Sequence, residues 1–147
     1  MHRAFEKVKE YLANPPCLSR PKEGETLILY LATADHAVSA ALVREELKEQ
    51  KPVYFISHVL RDAEVRYSAL EKVAYALTTA VRKLKLYFQA HPIKVITKAP
   101  LKKTLTNFDS SGRLLSWALE LSPFDISYHP PKALKSQILA DFIADYL

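Results

Sequence analysis

Clustered basic side chains are the residues in this sequence whose types and spacing best suit a chemical role. Arg82, Lys83 and Lys85 follow a long amphipathic stretch, and Lys102 and Lys103 come soon after it. Guanidinium and ammonium groups that are grouped in this way can contact the phosphates of a nucleic acid. A solvated basic face is the alternative interpretation, so the cluster predicts a nucleic-acid surface without establishing one.

Several other kinds of site are disfavoured by the residue types present. The chain has only two glycines, Gly24 and Gly112, which excludes a glycine-rich loop that cradles phosphate. Its five histidines show no spacing typical of metal ligands. The single cysteine, Cys17, lies in a proline-rich connector with no histidine close to it, which argues against a nucleophilic role.

Length, composition and charge describe one basic domain. The 147 residues, 49% hydrophobic and 25% charged, suit a single core. A net charge of +5 favours polyanionic partners, of which nucleic acid is the main class. The apolar runs are too short to cross a bilayer, and the first residues lack the apolar core of a secretion signal. We therefore expect no membrane association and no secretion, and the lone cysteine suits a reducing compartment.

Strand-like runs predict a mixed sheet. LILYLA, AVSAALVRE and KPVYFISHVL are rich in apolar and β-branched residues, and the connections between them are short. Short connections indicate an antiparallel meander of three strands. IKVIT and DISYH are expected as two further strands, and helices precede each of them.

Helical spacing predicts the elements that cover the sheet. Apolar residues recur at helical spacing over residues 70–88, with Asp62 or Glu64 near the start of this helix and Pro92 after its end. Further helices are expected for residues 4–12, for PLKKTLTN, for GRLLSWALEL with Ser110 or Ser111 as its cap, and for SQILADFIADYL. The core face expected on GRLLSWALEL consists of Leu114, Leu115, Ala118 and Leu121. The predicted class is α/β, a five-stranded mixed sheet flanked by helices.

The order of elements and the amino-acid sequences of several segments resemble the ribonuclease H-like domain of reverse transcriptases in gypsy-type LTR retrotransposon Pol polyproteins. The similar segments are LILYLATADHAVSAALVRE, the stretch from PVYFISHVL through RYSALEK to KLKLYFQ, IKVITKAPLKKTL, GRLLSWALELSPFDISYHP and ILADFIADYL. They cover nearly the whole chain, and their sequences are similar to those of plant retrotransposons. The resemblance implies a ribonuclease H-like fold for residues 25–147, and a helix and connector from the polymerase thumb for residues 1–24.

Active members of that family hold a pair of magnesium ions with a set of carboxylates. The resemblance places these carboxylates in the first strand, in the YSxxEK helix, at the end of the fourth strand and in the last helix. Glu71 in YSALEK and Asp141 in LADFI match two of these positions. Ala32 and Lys98 occupy the other two, so the resemblance implies a degenerate active site with no functional metal.

The two substitutions also change the electrostatics expected at the site. An ammonium at Lys98 puts a positive charge where a carboxylate would attract magnesium, which opposes binding of a dication. We hypothesise that the Lys98 ammonium takes the place of the metal and pairs with Glu71 and Asp141. Asp35 could replace the lost first-strand aspartate only through a slipped register, which would turn the apolar side chains of the strand to the wrong face.

Two functions follow from the resemblance. The favoured one is a degenerate domain of the connection or tether type that takes no cofactor. It would bind or position an RNA/DNA hybrid, or dock onto the polymerase and active ribonuclease H domains of the same polyprotein. The alternative is an active, magnesium-dependent ribonuclease H that cleaves RNA in such hybrids. Both imply a virus-like particle in the cytoplasm, or the nucleus, unless a host protein has kept the fold after the element lost its mobility.

Overall fold

The structure is a computed structural model that describes residues 18–107 and 112–131. The helix expected for residues 4–12, the caps Ser110 and Ser111, and the last expected helix with Asp141 lie outside the described residues. The division of the chain at residues 24 and 25 stays a prediction.

Five strands and four α-helices make up the described parts of the chain. In order they are β1 Leu27–Thr33, β2 Ala37–Glu46, β3 Glu49–Val59, α1 Ala69–Lys83, α2 Lys85–Ala90, β4 Ile93–Ile96, α3 Leu101–Leu105, α4 Gly112–Leu121 and β5 Ile126–His129. A 3-10 helix, Asp62–Arg66, lies between β3 and α1. No helix within residues 18–107 and 112–131 has the length and apolar character needed to span a membrane.

The strands form one sheet in the order β3-β2-β1-β4-β5. β1, β2 and β3 pair antiparallel, whereas β1 pairs with β4, and β4 with β5, in parallel. The predicted fold, three antiparallel strands plus two parallel ones flanked by helices, is therefore confirmed. The carboxyl ends of β1, β4 and β5 meet at one edge of the sheet. The first turn of α1, which contains Glu71, lies at this edge, because Lys72 Nζ of that turn donates to the carbonyl of Asp35 in the β1–β2 turn, 3.1 Å away. We call it the Glu71 edge.

The sheet buries apolar side chains on both faces, as the alternation along β1 requires. Leu27 and Leu29 point to the face covered by α1 and α4 and belong to the larger core. Tyr30 and Ala32 point to the other face, where they form a smaller cluster with Ala41 and Val43. The side chain at position 32 therefore lies among apolar neighbours.

The expected helix of residues 70–88 is divided in two, so the prediction of one continuous helix is wrong. α1 ends at Lys83, and Leu84 leaves the helical conformation with φ −117° and ψ 31° before α2 begins. Leu84 and Phe88 are both buried, whereas Leu86 is 79% exposed. Because Leu84 at the break and Phe88 after it keep a helical i, i+4 spacing, apolar periodicity alone does not reveal the break.

The core face of α4 also differs from the expectation. Leu114, Trp117 and Leu121 are buried, whereas Leu115 is 40% exposed. Trp117 takes the inner position because its ring packs against Tyr75 of α1, with ring centroids 5.4 Å apart. The large aromatic side chain thus sets the rotation of α4 about its axis.

Candidate functional site

Glu71 is held in place by the cap of its own helix. The backbone N–H of Glu71 donates to Ser68 Oγ at 3.1 Å, and the backbone N–H of Ser68 donates to Glu71 Oε1 at 3.0 Å. This reciprocal pair is a capping box, which satisfies two backbone donors at the start of α1. The S-x-x-E spacing is a sufficient signal for it. Asp62 and Glu64, the acidic residues expected near the helix start, lie instead in the preceding 3-10 helix.

Arg113 of α4 occupies the second oxygen of the same carboxylate. Its Nη1 donates to Glu71 Oε2 at 2.7 Å, and its guanidinium carbon lies 4.3 Å from the centroid of the Tyr67 ring. Backbone donation by Ser68 and side-chain donation by Arg113 hold the pKa of Glu71 below its usual range, against the opposing effect of desolvation. The carboxylate is therefore charged, and each of its oxygens already accepts a hydrogen bond.

An aromatic cluster supports this arrangement from below. Tyr67 packs edge to face on Tyr75 and Trp117, with centroid distances of 5.6 and 5.8 Å. The Tyr75 hydroxyl donates to Glu64 Oε2 at 2.5 Å, and burial raises the pKa of Tyr75 to about 12. Tyr67 is thus positioned to stack on the Arg113 guanidinium.

Ala32 lies within β1, directly opposite Ser39 of β2. It is 7% exposed, and the buried Ser39 Oγ has no hydrogen-bond partner among the residues that the structure describes. Asp35 lies in the exposed turn that follows β1. The strand register therefore places alanine, not aspartate, at the inward position, which is the threading that the resemblance used.

Lys98 lies in an exposed bend just after β4. The ion pair of Glu71 is with Arg113 instead, so the hypothesis that Lys98 pairs with Glu71 is wrong. The capping box fixes Oε1 at the helix start and leaves Oε2 directed to α4, from which Arg113 reaches it. Asp141, the other expected partner of Lys98, lies outside the described residues.

The described residues do not fit the magnesium pair that active members of the resembled family hold. No group of three or more His, Cys, Asp or Glu side chains within residues 18–107 and 112–131 could hold a metal ion. Magnesium requires several oxygen ligands in an octahedral arrangement. Ala32 offers none, Lys98 contributes a positive charge, and the oxygens of Glu71 are engaged by Ser68 and Arg113.

The expected basic cluster is divided by the fold. Arg82 forms a bidentate pair with Glu120, in which Nε lies 2.8 Å from Oε1 and Nη2 lies 2.9 Å from Oε2. Its guanidinium therefore joins α1 to α4. Lys83 and Lys85 are exposed where α1 meets α2, ahead of β4.

The remaining two basic residues lie at the other end of β4. Lys102 and Lys103 are exposed on α3, which follows the Glu71 edge. The structure thus replaces the expected single cluster by two lysine pairs that flank β4. The contacts of either pair with nucleic acid stay a prediction.

Comparisons with known proteins agree with this architecture. The retrovirus-related Pol polyprotein from transposon 297 of Drosophila melanogaster is 28% identical over 122 residues, which are 82% of this chain and 11% of that polyprotein. Among solved structures, the native prototype foamy virus protease-reverse transcriptase superposes with a TM-score of 0.67 at 22% identity, covering 86% of this chain and 18% of that one. A foamy viral protease-reverse transcriptase in complex with an RNA/DNA hybrid gives 0.57 at 20% identity, covering 91% and 19%.

The chain thus corresponds to a small part of the Pol polyprotein and of the reverse transcriptases that it resembles. The structural likenesses show the fold, which is that of ribonuclease H. The sequence profile that matches residues 1–95 is described as an RNase H-like domain found in reverse transcriptase. Because this match spans more than half of the sequence, the chain belongs to the family of RNase H-like domains of reverse transcriptases.

Proposed function

We propose that this domain binds and positions an RNA/DNA hybrid without cutting it. The observation that carries the proposal is the state of Glu71, whose two carboxylate oxygens are held by Ser68 and Arg113. A charged, hydrogen-bonded arginine supplies the countercharge that a metal ion would otherwise provide. The retained glutamate therefore serves the packing of α1 against α4.

The two changed positions support the same proposal. Ala32 places a methyl group, without an oxygen ligand, in an apolar cluster. Lys98 adds a positive charge beside the edge where a dication would have to bind. Lys98 is exposed, so solvent and salt weaken this repulsion, but its sign still opposes a dication. No magnesium-dependent step is assigned to this chain.

Its partners follow from the family. A similar reverse transcriptase forms a complex with an RNA/DNA hybrid. The chain also matches a short part of a Pol polyprotein. The domain would therefore act beside the polymerase and active ribonuclease H domains of the same polyprotein, as a connection or tether domain. Its place would be a cytoplasmic virus-like particle or the nucleus, and the gypsy-type, plant-like ancestry belongs to the same proposal.

Cleavage and binding of one labelled RNA/DNA hybrid, followed together, test the proposal. The intact chain is incubated with the hybrid in magnesium, in manganese and with neither. We expect binding under all three conditions and no metal-dependent cleavage. Glu71→Gln should not weaken hybrid binding, since it removes a negative charge and no positive one. The matched control is Glu23→Gln, which alters an exposed glutamate away from the site.

A second variant tests whether the residues at positions 32 and 98 prevent the domain from binding a metal ion. Ala32→Asp combined with Lys98→Asp restores the carboxylates at the positions that the family uses. Manganese binding, measured by electron paramagnetic resonance, should appear in this double variant and be absent from the unmodified chain. Cleavage by the unmodified chain that disappears in Glu71→Gln would establish an active ribonuclease H and overturn the proposal.

A further inference from the structure

A groove lies at the edge of the sheet opposite Glu71. Its volume is about 820 Å³, and it is formed by the last turn of α1, by α2, and by the segments that lead into β4 and β5. Val81 is the first residue of α1 that lines the groove, ten residues after Glu71, which corresponds to about 15 Å along the helix. The groove is therefore separate from the carboxylate site.

The floor of the groove is apolar and its rim is polar. Phe88 and Phe124, packed edge to face with ring centroids 6.1 Å apart, lie at its base beside Pro92. The Arg82–Glu120 pair forms one wall as a neutral unit. Lys85 is exposed on the rim. An apolar floor with a neutral wall suits a polypeptide side chain better than a phosphate backbone, which binds chiefly to unpaired positive charge.

The preceding part of the chain is fastened along the same edge. The backbone N–H of Ser19 donates to the carbonyl of Pro52 at the start of β3, at 2.7 Å. The carbonyl of Glu25 accepts a hydrogen bond from His91 Nδ1, which lines the groove, at 2.9 Å. The backbone N–H of Leu27 donates to the carbonyl of Pro92, another lining residue, at 2.9 Å.

A buried arginine stabilises this attachment. Arg44 is 5% exposed, and its Nε donates to Glu25 Oε1 at 2.7 Å while Nη1 donates to Glu46 Oε2 at 2.6 Å and to Ser19 Oγ at 3.2 Å. β3 and β4 are three strands apart, so Ser19 lies about 14 Å from the groove across the sheet. Any domain joined ahead of residue 18 is thus tethered within reach of the groove, at a high effective concentration.

We propose that the groove is the docking site for the polymerase part that precedes this domain in the polyprotein. The occupant is an aromatic or branched aliphatic side chain that packs on the partly exposed ring of Phe124. An adjacent acidic residue of the same partner pairs with Lys85. The inference rests on the part of the proposed function that makes the polymerase a neighbour, and it is independent of hybrid binding.

Site-specific photo-crosslinking in the complete reverse transcriptase polypeptide tests this docking. Gln89, an exposed residue of the groove rim, is replaced by the photoreactive residue p-benzoylphenylalanine. After irradiation, mass spectrometry identifies the joined peptides. We expect them to come from the polymerase part of the same molecule. Peptides from a second copy, a crosslink to nucleic acid, or no crosslink at all would overturn the proposal.

A groove-filling substitution gives the second measurement. Ala90→Arg places a large side chain in the groove from an exposed position, and Leu47→Arg, in the exposed loop between β2 and β3 on the far side of the sheet from β4, is its charge-matched control. We expect Ala90→Arg to lower the crosslink yield at position 89 about tenfold, because a central contact carries much of the binding free energy. An equal yield in both variants would contradict docking in the groove.

Hybrid binding by the same two variants separates this inference from the proposed function. Both variants should bind the RNA/DNA hybrid as the unmodified chain does, because neither lies at the Glu71 edge. If the unmodified chain does not bind the hybrid but still forms the polymerase crosslink, the hybrid proposal alone is refuted. The reverse result would refute the docking proposal alone.

Discussion

At the residue scale, Glu71 makes structural contacts at a position where its motif points to a metal ligand. Its matching position in YSALEK suggested a metal ligand, whereas its contacts are those of a helix cap and of an interhelical ion pair. The cap was predictable from four adjacent residues. The Arg113 contact joins residues 42 positions apart, and its geometry depends on how Trp117 orients α4. Local sequence patterns carry no information about such a contact.

The ionisation of Glu71 gives a prediction about pH. The folded-state pKa lies below the ordinary 4.5, so this carboxylate contributes stability above about pH 4.5 that is lost as the pH falls through the folded-state pKa. Glu71→Gln lacks this contribution. We expect the variant to be less stable than the unmodified chain at pH 6, and the difference to shrink steadily below pH 4.5. Urea unfolding at a series of pH values measures it, and a difference that is constant with pH would contradict the assignment.

At the scale of elements, the β2–β3 hairpin stands out for its sequence. Its two-residue loop, Leu47 and Lys48, has φ values of 53° and 65°. Glu46 pairs directly with Glu49, so the loop has the geometry of a type I′ turn, for which Asn-Gly is the usual sequence. Leu47 is also 93% exposed, so its side chain gains little from burial. Two side-chain-bearing residues thus adopt a strained conformation here.

Replacing this loop should stabilise the domain. Leu47→Asn together with Lys48→Gly relieves the left-handed strain, and we expect the free energy of unfolding to rise by about 1 kcal/mol. Thermal unfolding followed by circular dichroism measures the change. Glu23→Asn with Gly24 left in place is a suitable control, since Gly24 already has a φ of 73°. An unchanged or lower melting temperature would show that the turn is not strained.

The sheet was predictable from the sequence, whereas the ends and faces of the helices were less so. Runs of β-branched and apolar residues with short connections predict β1, β2 and β3, and that pattern is compatible with few other structures. The break at Leu84 and the burial of Trp117 instead of Leu115 depend on which side chains meet in three dimensions. Periodicity identifies an apolar stripe, but the final rotation of a helix follows from packing against its neighbours.

At the scale of the whole molecule, positive charge lies at both ends of β4. Lys102 and Lys103 are on α3, next to the Glu71 edge, where the family positions of the site gather. Lys83 and Lys85 lie beside the groove, at the other end. The sequence placed all of these residues in one cluster, because chain distance does not show that β4 separates them. The two lysine pairs therefore have to be tested separately.

We expect the pair on α3 to provide the phosphate contacts. Lys102→Gln with Lys103→Gln should weaken hybrid binding and reduce the slope of log K against log salt by about 2, since each lost phosphate contact removes about 0.9. Fluorescence anisotropy at several salt concentrations measures the slope. Lys83→Gln with Lys85→Gln is the charge-matched comparison and should leave it unchanged. An equal loss of slope in both double variants would show that the hybrid spans both ends of β4.

The capping box around Ser68 has a consequence for how such domains drift over generations. A residue that closes the first turn of a long helix is retained by selection for folding alone, whether or not the protein cuts anything. The helix motif should therefore decay more slowly than the strand carboxylates once cleavage is lost. Relatives that keep it while varying at the positions of Ala32 and Lys98 would record a history of relaxed selection on catalysis. Position 71, taken by itself, is a poor marker of nuclease activity.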